Sequence, residues 1–150
     1  MMFIRTAQPT DLNAWVAMRS DLWPESNDSH RSEIAAYFAG SATDIVTCLV
    51  AEDGQSGALA GFIELNIRNF AEGSRQAEVP YVEGWYVSAA FRGQQLGLAL
   101  MQKAEQWARN LGYTELASDT EIDNHKSLAL HLNMGFEETE RVVCLLKKLI

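Results

Sequence analysis

Residues 81–111 read YVEGWYVSAAFRGQQLGLALMQKAEQWARNL, and they change character twice. Tyr81 to Ser88 is rich in aromatic and β-branched side chains and reads as a strand, with one acid, Glu83, beside Gly84. Arg92, Gly93, Gln94, Gln95 and Gly97 form a short loop. Leu96, Leu100, Ala104, Trp107, Ala108 and Leu111 then recur on one face of a helix, with Gln102, Glu105 and Arg109 opposite. A strand feeding a glycine-bearing loop at a helix N-terminus is a natural anion site. Backbone N–H groups there are free, and the helix dipole favours negative charge.

Upstream of that unit, Phe3 to Thr6 is a short strand candidate. Thr10 after Pro9 caps a helix carrying Leu12, Trp15, Val16, Arg19, Leu22 and Trp23, which Pro24 stops. Asp28 or Ser29 caps a second helix with Ile34, Tyr37 and Phe38, and Gly40 ends it. Asp44 to Glu52 reads as a buried strand and residues 53–57 as a hairpin turn, with Ala58 to Asn69 the next strand. Downstream, the pattern predicts a fifth strand over Thr114 to Ser118, a helix ending at Met134 and Gly135, and a last strand from Phe136 onward. The expected fold is α+β, a mixed and mostly antiparallel sheet with helices on both faces, in one domain over residues 1–150.

Composition removes several functions. The net charge of −8 disfavours a nucleic-acid partner, which needs a basic footprint, and suits a cationic ligand. No apolar run approaches the roughly 20 residues that span a bilayer, so no membrane role is expected. The first ten residues lack the charged start and apolar core of a signal peptide. Cys48 and Cys144 make no disulfide framework, and no metal-ligand spacing is present. These features fit a cytoplasmic location.

The residues Leu22-Trp23-Pro24, Val82 to Val87, Ala117 to Thr120, Asp123 to Ser127 and His131 to Val143, with the element order, carry a likeness. The chain resembles the GNAT superfamily of acyl-CoA N-acyltransferases, and within it the chromosomal, dimeric aminoglycoside 6′-N-acetyltransferases. The resemblance implies a splayed central strand pair and acetyl-CoA as co-substrate. It also implies an aminoglycoside acceptor and a homodimer through the C-terminal strands. The superfamily's phosphate loop falls on Arg92-Gly93-Gln94-Gln95-Leu96-Gly97, with Gln95 where the first of two glycines is expected. Tolerance of Gln95 depends on whether that position needs a positive φ.

By the same resemblance, the cofactor is held by Tyr86, Val87, Arg92, Gly93, Gln94, Gln95, Leu96, Gly97, Leu98 and Ala99, with Asn124 and Ser127 along the pantetheine arm. The Val87 N–H is the expected oxyanion donor. Glu83 and Asp119 match the acids that bind drug ammonium groups, and either could take the amine proton. Ordinary readings stand beside these: Glu83 paired with Arg68 or Arg75, and Asp119 capping a helix. Trp23 and Phe70 line the acceptor pocket, Phe70 standing where the subgroup has a tyrosine. Glu140 serves a partner's pocket if C-terminal strands exchange. His131 falls where many members have a tyrosine that protonates the leaving thiolate, although a histidine on such a helix is equally a structural group. Two rival functions remain: acetylation of another amine, such as a polyamine or amino sugar, and a non-catalytic acyl-CoA-binding module.

Overall fold

In the computed structural model, which describes residues 1–150, the sheet is a four-stranded antiparallel meander with two helices inserted after its first strand. Strands β1 (Met2–Thr6), β2 (Thr47–Asp53), β3 (Leu59–Arg68) and β4 (Val79–Val87) lie in that spatial order, each antiparallel to the next. The β2–β3 hairpin closes as the turn residues require: Asp53 accepts from Ser56 Oγ at 2.7 Å, and Gly57 supplies a φ of +76°. Helices α1 (Leu12–Leu22) and α2 (His30–Phe38) fill the connection between β1 and β2. Helix α3 (Leu96–Asn110) follows β4, and α4 (His125–Asn133) lies near the C-terminus.

β3 is buried on both faces, so its side chains divide by parity between two cores. Phe62 joins Trp15, Met18, Ile34, Val50 and Tyr86 under α1 and α2. Ile63 and Leu65 join Val82, Leu96, Leu100, Met101 and Ala104 under α3. The helices therefore cover both faces, as expected from the apolar stripes of α1 and α3. β3 itself departs from simple alternation, because Glu64 and Asn66 are buried polar groups among apolar ones.

Two expected strands do not form. The segment predicted as a fifth strand meets β4 at one parallel bridge, Tyr81 with Ala117. Val82 N–H donates to Ala117 O and Ala117 N–H to Pro80 O, both at 2.9 Å, after which the segment diverges. The residues predicted as a last strand have no ladder partner, so the apolar side chains of Val142, Val143, Leu145, Leu146, Leu149 and Ile150 are exposed. Apolar β-propensity creates a strand only where another backbone accepts its hydrogen bonds.

Candidate active site

One extra residue shapes the sheet at the site. Leu65 pairs with Val82 and Glu64 with Gly84, so Glu83 has no partner on β3 and forms a bulge. Gly84 is required beside it: a Cβ there would lie 2.6 Å from the Trp23 ring. Beyond the Ala117 bridge, the outer edge of β4 is open. Ser88 N–H donates inward to Ala60 O at 2.8 Å, so alternation turns the Val87 N–H toward that open edge.

The loop is fastened to this strand twice. Arg92 Nε donates to Val87 O at 2.9 Å, and Trp85 Nε1 donates to Gly97 O at 3.0 Å. Gln95 caps α3 with φ +59° and ψ +23°, the single non-glycine residue of the chain at positive φ. The position expected to hold glycine does need the left-handed conformation, and Gln95 adopts it under strain. No side chain caps α3, and its first internal hydrogen bond is Ala99 N–H to Gln95 O. The amides ahead of Ala99 thus stay available to a phosphate, which is the fit the loop offers for a coenzyme A pyrophosphate. Tyr86 points away, its hydroxyl donating to Asp21 of α1.

On the acceptor side, Arg68 grips the bulged Glu83 with both arms of its guanidinium, Nε to Oε2 at 2.8 Å and NH2 to Oε1 at 2.6 Å. Asn66 Nδ2 adds a bond to Oε2 at 2.9 Å. The guanidinium lies 3.5 Å from the centre of the Tyr81 ring, and the Tyr81 hydroxyl donates to Asp119 Oδ2 at 2.7 Å. Burial and Asp119 hold the Tyr81 phenol above its usual range, so it stays protonated and donates. Arg68, Asn66, Phe70, Thr43 and Glu78 line an open cleft of about 540 Å³. Phe70 is exposed there, and Trp23 packs over Gly84. Glu140 lies in the exposed tail and pairs with none of these groups.

At α4, Asn124 accepts from Ser127 N–H at 3.1 Å as the cap of the helix. His131 is buried between the edges of Trp85 and Phe136. Its Nδ1 lies 2.8 Å from Ser127 O, a pure acceptor, so Nδ1 carries hydrogen. Nε2 then accepts from Ser118 Oγ at 2.8 Å. Both nitrogens are engaged within the chain, and a direct proton donation from the ring requires one of these bonds to break first.

Beneath Trp23 runs a buried polar seam that no local sequence pattern announces. Trp15 Nε1 donates to Glu64 Oε2 at 2.8 Å, and Arg19 Nε lies 3.2 Å from the same oxygen without hydrogen-bond alignment. Arg19 also pairs with Glu33 at 2.6 Å and lies 5.1 Å from the centre of the Trp23 ring, while His30 Nε2 meets Trp23 O at 3.0 Å. Burial pushes the Glu64 carboxyl up to about 7, against the opposing pulls of Arg19 and the Trp15 N–H. Arg68, Asn66, Tyr81 and Ser118 were likewise not singled out as site residues by spacing. Each reaches its partner through strand register or a diverging loop, neither of which leaves a sequence pattern.

The chain's relatives share this arrangement of elements. The family model described as "Acetyltransferase (GNAT) family" matches residues 14–136. Aminoglycoside N(6')-acetyltransferase type 1 of Klebsiella aerogenes is 42% identical over 147 residues, covering 97% of this chain and 96% of the relative. The enzyme of the same name from Stenotrophomonas maltophilia is 36% identical over 141 residues, covering 93% and 89%. Among solved structures, AAC(6')-Iy bound to the bisubstrate analog CoA-S-monomethyl-acetylneamine superposes with a TM-score of 0.86 at 32% identity, over 99% of both chains. AAC(6')-Ih from Acinetobacter baumannii gives a TM-score of 0.86 at 31% identity, again over 99% of both. On this match of sequence and fold, the chain belongs to the GNAT family of acetyltransferases.

Proposed function

We propose that this chain is an aminoglycoside 6′-N-acetyltransferase that uses acetyl-CoA as co-substrate, acting as one domain over residues 1–150. The observation that carries the reading is the β4 unit: a bulged acid, an amide on an open strand edge, and a loop of uncapped amides in direct succession. Relatives named for this activity at up to 42% identity support it.

Bound acetyl-CoA supplies a thioester whose carbonyl is open to attack by an amine. The uncapped amides of Leu96, Gly97 and Leu98 and the Arg92–Gln95 loop would receive the pyrophosphate, while the Ala99 N–H, bonded to Gln95 O, closes the first turn of the helix. Tyr86 fixes the strand from the opposite face. The Val87 N–H donates to the carbonyl oxygen as negative charge grows there. Asn124 and Ser127 face the pantetheine arm from the start of α4. Asp119 and Glu83 hold ammonium groups of the acceptor and offer a path for the amine proton, with Trp23 and Phe70 as walls. His131 acts as a positioning group, holding Ser118 and Ser127 in place. Positioning of two substrates supplies most of the acceleration, and no covalent enzyme intermediate is needed.

The acceptor is a cationic small molecule, consistent with the net charge of −8 and against nucleic acid as a partner. No helix is long and apolar enough to cross a membrane. We place the protein in the cytoplasm. We also infer a homodimer, in which the exposed apolar tail around Val143 and Leu146 packs on a second copy and brings Glu140 toward the partner's cleft.

Thiol release with kanamycin, tobramycin and spermidine tests the substrate class. Both drugs should show a higher kcat/KM than spermidine, and the reverse order would move the activity to polyamines. Asp119→Asn should raise the drug's KM or lower kcat by about tenfold, a loss of about 1.4 kcal/mol, with acetyl-CoA binding unchanged. Wild-type kinetics in that variant would take Asp119 out of the pocket.

A further inference from the structure

Glu83 already holds a cation before any acceptor arrives. Its two oxygens accept from Arg68 Nε and NH2 and from Asn66 Nδ2, at 2.6 to 2.9 Å. The forked pairing is the strongest geometry a guanidinium makes with a carboxylate. Stacking on Tyr81 holds it flat, at 3.5 Å from the ring centre. Asp119 differs. Its partner is the neutral Tyr81 hydroxyl, and no ion pair compensates it. The two acids on either side of the stacked Arg68 and Tyr81 are therefore unequal: one is open to a cation and the other already has one.

We propose that Arg68 is the resident counter-ion of the acceptor site, occupying against Glu83 the place that a substrate ammonium must take, and that it thereby selects among amines. The proposal rests on the acetyltransferase reading and deepens it. An acceptor with a single ammonium binds at Asp119 and leaves the Arg68–Glu83 fork closed. A polycation with a second ammonium at the right spacing displaces the guanidinium and gains Glu83. The Arg68 side chain is 38% exposed against 18% for Glu83, so the arginine can swing into the cleft while the carboxylate stays in its bulge. The fork thus discourages simple amines and rewards ligands that present several charges.

The test measures neamine and glucosamine, a polyamine acceptor and a monoamine, against wild type, Arg68→Gln, Arg68→Lys and Arg68→Gln/Glu83→Gln. Binding is followed by calorimetry in the presence of coenzyme A, and turnover by thiol release. Arg68→Gln should bind neamine about fivefold more tightly, the scale of one partly exposed ion pair no longer to be broken. Glucosamine, which does not reach Glu83, should gain clearly less than neamine, a remainder set by the charge Arg68 presents to Asp119, and acetyl-CoA binding should be unaffected. Arg68→Lys keeps the charge but loses the fork, and should show a smaller gain of the same sign. Adding Glu83→Gln should abolish the gain, a dependence that a merely structural arginine would not show. Unchanged or weaker neamine binding in Arg68→Gln, with its melting temperature retained, overturns the proposal. If that variant does not fold, unchanged or weaker binding in Arg68→Lys does the same. Neamine binding that follows this pattern without thiol release in wild type would overturn the acetyltransferase reading and leave the counter-ion intact.

Discussion

Gln95 sits in a conformation that costs a side-chain-bearing residue about 1–2 kcal/mol. Its side chain makes no capping hydrogen bond that would offset this. Replacing it by glycine should remove the strain and return part of the gain as unfolded-chain entropy, for a net stabilisation of about 0.5–1 kcal/mol. Thermal melts of Gln95→Gly should therefore rise by about 2 °C. The KM for acetyl-CoA should stay within about twofold, because in the proposed site the loop's amides, not the glutamine side chain, would receive the phosphates. A fall in melting temperature would mean the side chain holds the loop by a contact of its own. At this scale the sequence was informative where backbone chemistry decides: the loop, its missing glycine and the Asn124 cap were all legible. Partnerships were not. Arg68 stood equal with Arg75 as a partner for Glu83, because only the pairing of β3 with β4 sets Arg68 opposite Val79, from where its side chain crosses the Tyr81 ring to reach Glu83.

Between elements, the seam from α1 to β3 is the feature with a pH signature. The Glu64 carboxyl has an ordinary value of 4.5 and is raised to about 7 in the fold, chiefly by burial. Between those two values the folded chain keeps a proton that the unfolded chain has released. The contribution of Glu64 is therefore greatest below about pH 4.5 and falls as pH rises to about 7, by up to roughly 1.4 kcal/mol per unit. Urea unfolding of wild type and Glu64→Gln at about pH 5 and about pH 8 isolates this group. The stability of wild type relative to the variant should be higher at the lower pH, and a pH-independent difference would contradict the assignment. Local periodicity located all four helices and four of the expected strands. It overreached at residues 114–118 and beyond Phe136, where strand-forming side chains meet no ladder within the chain. The polar seam was invisible because Glu64 lies within an apolar run and its partners are 45 or more residues upstream in α1.

At the level of the whole molecule, the exposed apolar tail is the least satisfied surface. Val142, Val143, Leu145 and Leu146 stand together between charged residues, an arrangement suited to a second chain rather than to water. Light scattering should report a dimer for the full chain and a monomer once residues 141–150 are removed. A full-length monomer at micromolar concentration would end the dimer proposal. The bulge has a different kind of consequence. Because Glu83 is supernumerary on β4, it sets the phase between the first and second halves of that strand. An exchange of its side chain alters the charge and the bonds to Arg68 and Asn66 but leaves the pairing of the strands in place. Loss of the residue altogether would rotate Tyr81 and Val82 to opposite faces, parting the phenol from Asp119 and withdrawing an apolar side chain from the α3 core. Substitution at position 83 therefore retunes which amines are held, while the length of the strand is locked: insertions and deletions here would unmake the fold and the function together.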